Sequence, residues 1–182
     1  MEKQRLELCD EIKSAFGSVH FPAHRGLQAS RALDDDADLD STELASITKE
    51  RDFHGEWWEV PFSELGEYVF GLSYLDESGI EFYLPAYLIR TLTDLDYRNF
   101  NELLYALDPV ITEEDDELRK WFNQQFSKIT GEKKRVCKRY LELLLVWLPS
   151  DSLRVEAFWL DLEISRVERI LRDNFWNDSD AG

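Results

Sequence analysis

Between residues 131 and 148 apolar side chains occupy two adjoining faces of one helix. Val136, Tyr140, Leu144 and Trp147 lie on the first, and Leu141, Leu145 and Leu148 on the second. A helix that is apolar on most sides has to be enclosed by other elements. That requirement sets the reading of the chain as a helical assembly built around buried helices. Pro149 terminates this helix, and Ser150 or Ser152 is placed to cap a final one carrying Leu153, Phe158, Trp159, Leu162, Val167, Ile170 and Leu171. Upstream, Thr112 can cap a helix whose first turn holds Glu113 to Glu117, where acids complement the dipole. Its apolar face holds Leu118, Trp121, Phe122 and Phe126. A short helix over 99–107 stops before Pro109.

The N-terminal half is less uniform. Leu6, Cys9, Ile12 and Phe16 fall near helical spacing over 2–16, and Gly17 ends that helix. The stretch 18–33, with His20, Pro22, His24 and Gly26, reads as a loop. Residues 34–40 are a charge run, and Ser41 opens a helix over 41–50. EWWEVP at 56–61 reads as a short extended or turn segment, and Ser63 to Phe70 as a brief helix. LSYLDESGIEFYL then has two runs of strand formers around Asp76-Glu77-Ser78-Gly79, which predicts a β-hairpin whose loop uses Gly79 at positive φ. Pro85 suits the first turn of a following helix, PAYLIRTL. The expected architecture is therefore α+β and predominantly α-helical: a helical bundle with one β-hairpin packed against it. It forms a single globular domain over 1–176, with 177–182 a disordered tail.

Formal charge is −17, from 38 acidic and 21 basic residues among 182. A field of that sign repels nucleic-acid backbones and anionic membranes and attracts cationic proteins. The N-terminus lacks the apolar stretch of a secretory signal, and Leu143 to Leu148 is far too short to span a bilayer, so the cytoplasm is the expected location. Cys9 and Cys137 belong to no CxxC pair and read as small buried hydrophobes.

Chemistry-bearing patterns are few. His20 and His24 are four apart but separated by Pro22, with no further ligand at matching spacing, and His54 has no identifiable partner for base catalysis. Asp34, Asp36 and Asp38 follow the start of a calcium loop, yet the sixth position is Leu39 and the twelfth is Ala45, so the turn and the bidentate ligand are missing. The expectation is no metal and no cofactor. Lys128, Lys133, Lys134, Arg135, Lys138 and Arg139 form one basic island, which either pairs with the chain's own carboxylates, the simpler account, or binds a phosphate or an acidic surface. Trp57, Trp58, Tyr74, Phe82, Tyr83 and Tyr87 crowd around the expected hairpin as core, or in part as an exposed anchor for a partner. Gly-rich phosphate loops, G-x-S-x-G and H-E-x-x-H do not occur.

WWEVP at 57–61 and LSYLDESGIEFYLPAYL at 72–88 resemble a family of uncharacterised bacterial proteins with the pattern W-x-x-x-P followed by LSFL-x-x-x-G-x-x-YYLPAYL. FSKITGEKKRVCKRYLELL at 126–144 is similar to that family's C-terminal helix. The resemblance implies a structural signature and brings no catalytic residue with it. Small acidic bacterial proteins of this sort include immunity proteins. The resulting expectation is a protein-binding domain without enzymatic activity, of the immunity type, that occludes a basic toxin. Asp34, Asp35, Asp36, Asp38, Asp40, Glu43, Trp57 and Trp58 are the partner-binding candidates. A hydrolase with an unrecognised carboxylate pair and a DNA mimic are the alternatives.

Overall fold

The computed structural model describes residues 2–22, 24–66, 71–94, 97–109, 116–151 and 157–177. Regular structure among them is entirely helical. The α-helices are α1 (Glu2–Ala15), α2 (Leu27–Asp35), α3 (Ser41–Arg51), α4 (Phe62–Gly66), α5 (Glu77–Thr93), α6 (Tyr97–Ala106), α7 (Asp116–Gln125), α8 (Gly131–Trp147), α9 (Ala157–Arg172) and α10 (Asn174–Asn177). Three 3-10 turns, Trp57–Glu59, Gly71–Tyr74 and Leu148–Asp151, join some of them. The expected caps Thr112 and Ser152 and residues 178–182 of the expected tail lie outside the described residues, whereas the first residue of that tail, Asn177, ends α10.

The β-hairpin expected over 72–84 is not formed, and the α+β class gives way to an all-helical one. The second half of that segment is the start of α5. Ile80, Phe82 and Leu84 alternate as a strand would, but Ile80, Tyr83, Leu84, Tyr87, Leu88, Thr91 and Leu92 also recur at helical spacing, and all of them are buried. The cap settles the choice. Asp76 stands at the N-cap with extended backbone, and its carboxylate accepts the amides of Ser78 (3.1 Å) and Gly79 (2.8 Å). Gly79 does not have positive φ. A Cβ there would meet the Arg25 carbonyl oxygen and the Leu75 side chain at 2.7 Å, so close approach is what requires glycine. Pro85 lies inside α5, not at its start.

The expected loop 18–33 ends in α2. Its first turn is capped from outside the helix: Oδ1 of Asp52, the residue that closes α3, accepts the Gln28 amide at 2.9 Å and the Tyr83 hydroxyl at 3.4 Å. A Cβ on Gly26 would sit 2.3–2.6 Å from that carboxyl group. Thr48 adds a hydroxyl 3.0 Å from the Gly26 amide, so α2 and α3 are locked as a pair.

α5 is the central helix, buried on most of its circumference and in contact with α1, α4, α6 and α7. α8 packs on α1 and α9. A buried hydrogen bond of 2.8 Å between Thr91 and the Tyr140 hydroxyl ties α5 to α8. The basic island faces acids of neighbouring helices. Lys133 and Lys128 pair with Glu81 of α5, Arg135 and Arg139 with Glu11 of α1, and Arg135 also with Glu132. Internal pairing with carboxylates accounts for these four, while Lys138 donates to Asn177 and Lys134 stands over the Phe175 ring.

Candidate functional site: an aromatic cleft beneath an acidic helix end

Four large hydrophobic side chains that could have joined a core converge instead on one open cleft. Tyr74 is 37% exposed, Tyr105 47%, Leu118 46% and Trp121 45%. Together with Ser73, Ala106, Asp108, Phe122 and Gln125 they line a cavity of about 430 Å³. Most of the lining comes from α6 and α7, and the turn Gly71–Tyr74 closes one side. Ligand sites of this size are typically concave, apolar and furnished with few polar groups.

The walls are held by buried polar contacts. Gln125 at the end of α7 donates to the carbonyl oxygens of Leu72 (2.9 Å), Ser73 (3.3 Å) and Leu75 (2.9 Å), which fixes the turn bearing Tyr74. Arg25 donates to the Tyr74 carbonyl oxygen at 3.2 Å from the other side. Arg119 makes a forked pair with Asp173 at 2.9 and 2.8 Å and reaches the Pro109 carbonyl oxygen at 3.2 Å. Burial opposes ionisation of Asp173, but the Arg119 guanidinium and the Phe175 amide outweigh it and hold the carboxyl below its usual range. Phe122 stacks on Phe126 at 4.6 Å and meets Phe175 edge-on at 5.1 Å. With α7 anchored along that side, its Leu118–Trp121 stripe faces solvent. Asp108, on the cleft wall, is buried and ion-paired with Arg169 of α9.

The rim is acidic. The Asp34 carboxylate lies near the Tyr74 hydroxyl, and its hydrogen-bonding influence and negative charge push the phenol above its ordinary pKa. Asp34 and Asp35 occupy the last turn of α2, and Asp36 is its C-cap. Carbonyl oxygens gather at a helix C-terminus, so carboxylates there oppose the dipole, and no basic residue lies in that turn. Arg31 offsets Asp35 only weakly, at 4.0 Å between exposed groups.

Other sequence candidates fall into different roles. Asp40 caps α3, accepting the amides of Thr42 (2.7 Å) and Glu43 (2.9 Å), while Glu43 accepts the Asp40 amide at 2.9 Å. Asp36 accepts the Asp38 amide at 3.1 Å, and Asp38 is exposed. Trp57 is fully buried, with its indole N–H on the Phe16 carbonyl oxygen at 3.0 Å. Trp58 is about half exposed, away from the cleft lining, and meets Trp57 edge-on. His54 contacts the Lys49 carbonyl oxygen at 2.8 Å. Sequence reasoning missed Tyr105 and assigned Leu118 and Trp121 to the core. The spacing of Leu118, Trp121, Phe122 and Gln125 marks one broad face of α7, but spacing cannot tell which half of it lacks a neighbour.

An all-helical domain with an aromatic cleft beneath an acidic helix end is the class that fold and site define. The chain belongs to a family of unknown function, DUF6714, which matches residues 4–162. Nothing among the curated proteins or the solved structures matches it. No helix among the described residues is long and apolar enough to cross a membrane.

Proposed function

We propose that this protein is a binding domain for a cationic protein and that the cleft beneath the end of α2 is its docking face. One observation carries the reading: Tyr74, Tyr105, Leu118 and Trp121, all substantially exposed, meet in a single cleft with the Asp34 carboxylate near its Tyr74 edge. Exposed apolar clusters rimmed by polar groups mark interaction sites, and Trp and Tyr dominate interface energies. A net charge of −17 disfavours a second copy of the same chain as occupant and favours a basic one. The finer form of the proposal is an immunity-type inhibitor, acting in the cytoplasm, that blocks a basic toxin by covering its working surface. A hydrolase finds less support here. The one described carboxylate on the cleft wall, Asp108, is engaged by Arg169, and the carboxyls that burial pushes above their usual range, Asp52 and Glu163, lie elsewhere.

The test is capture of interacting proteins on the immobilised domain, identification of the partner, and calorimetry of the purified pair. Trp121→Ala should cost about 2 kcal/mol or more, as a central aromatic anchor does. The complex should also weaken with salt. Unchanged affinity for the identified partner in Trp121→Ala would refute this face.

A further inference from the structure

Elsewhere among the described residues, several rings are faced by the chain's own cations. The Arg90 guanidinium stands 4.1 Å over Phe62, Arg5 4.8 Å over Trp147, and the Lys134 ammonium 4.8 Å over Phe175. Among the described residues, no cation stands over Tyr74, Tyr105 or Trp121, the rings of the cleft. Ring faces carry negative quadrupole density, and a cation drawn out of water against them is held more strongly than one at an exposed site. Cations bonded to the cleft wall or adjacent in sequence to its residues have partners of their own: Arg25 the Tyr74 carbonyl oxygen, Lys120 Glu117, Arg119 Asp173 and Arg169 Asp108. At the rim, the Asp34 carboxylate near the Tyr74 hydroxyl supplies a negative charge beside the rings.

We infer that the cleft receives an arginine side chain of the cationic partner, its guanidinium against the rings of Tyr74, Tyr105 and Trp121 and its charge matched by Asp34. Arginine suits the site better than lysine because a planar, weakly hydrated guanidinium stacks on aromatic faces while its N–H fork still reaches a carboxylate. The cavity of about 430 Å³ has room for that side chain and its methylene stem. This inference rests on the docking face proposed above and specifies what enters it.

The experiment uses the full chain and small probes: N-acetyl-arginine amide, its neutral isostere N-acetyl-citrulline amide, N-acetyl-lysine amide and N-acetyl-leucine amide. Binding is read from the indole N–H resonance of Trp121 in nitrogen-15 spectra, assigned by its disappearance in Trp121→Phe. The arginine probe should shift that resonance saturably and bind about tenfold more tightly than citrulline, the difference expected of a partly desolvated cation–π contact. Tyr105→Leu keeps an apolar wall but removes a ring, and should weaken the arginine probe several-fold. Folding of that variant is checked by its retained dispersion and melting temperature. Equal binding of arginine and citrulline, tighter binding of the leucine or lysine probe, or no saturable shift with arginine would each overturn the inference. A failure of this kind alongside a partner complex that still depends on Trp121 leaves the docking face standing and assigns it another anchor. Loss of that dependence removes the docking face itself.

Discussion

Replacing Asp34, Asp35 and Asp36 together by Asn should make the free protein more stable while weakening its complex. The three carboxylates sit at the C-terminal end of α2, where exposed acids cost about 0.3–1 kcal/mol each against the helix dipole. Three such groups sum to roughly 1–3 kcal/mol of relief. Against this stand the Arg31–Asp35 pair, exposed and 4.0 Å apart, worth about 0.3–0.5 kcal/mol as an i,i+4 contact, and the influence of the Asp34 carboxylate on the Tyr74 hydroxyl. Asn retains an acceptor for the Tyr74 hydroxyl and for the Asp38 amide. The net gain is about 1 kcal/mol, which for a chain of this length raises the melting temperature by roughly 2–4 °C. Urea and thermal unfolding at low salt measure it, and the gain should shrink at about 1 M salt, where screening acts within ~3 Å. The same variant should bind the cationic partner with a slower on-rate and a flatter salt dependence. A clear loss of stability in the triple variant would refute the reasoning, because the acids would then be holding the fold together.

Three further outcomes follow from the local geometry. Gly26→Ala drives a methyl into the Asp52 carboxyl group and should displace the cap of α2, costing about 1–3 kcal/mol in urea unfolding as buried donors lose their acceptor. Asp76→Ala removes the acceptor for two amides at the start of α5 and should cost about 0.5–2 kcal/mol, with Asp76→Ser recovering most of it. Burial raises the Asp52 carboxyl above 3.8, against the pull of the Gln28, Ala29 and Leu27 amides and the Tyr83 hydroxyl. The folded state therefore holds that proton to higher pH than the unfolded chain does. The associated stability is complete below the unfolded value and is lost as pH rises through the folded one. Relative to Asp52→Asn, the wild type should thus lose stability over that interval, and a gain would contradict the assignment.

How far the sequence was legible depended on whether one period dominated. α1, α3, α6 and α8 were expected within a few residues of where they lie, because their apolar spacing is helical and nothing competes with it. In 72–92 two periods coexist. Ile80, Phe82 and Leu84 satisfy an alternating pattern and Ile80, Tyr83 and Tyr87 a helical one, while Asp76 and Gly79 serve equally well in a turn or in a helix's first turn. The Arg25 carbonyl oxygen and the Leu75 side chain crowding Gly79 explain the glycine, and the first of these contacts is tertiary. α2 was hidden for a related reason. Gly26 looked like a loop former, but its lack of a side chain admits Asp52, a cap supplied from 24 residues away. Of the acids that charge singled out over 34–38, Asp34 comes near a residue of the candidate site, Tyr74. The aromatic cleft was not legible, since Leu118 and Trp121 look like core until the packing shows that α5 and α10 cover only the other side of α7.

The central claim concerns a place on the molecule, and amide hydrogen exchange of the protein alone and with its identified partner tests it most directly. Protection should appear at the end of α2, at Gly71–Tyr74 and along Leu118–Gln125, and it should fade in Trp121→Ala. Protection confined to other surfaces, such as Trp58–Gly66 or the exposed side of α8, with these segments unchanged, would contradict the account.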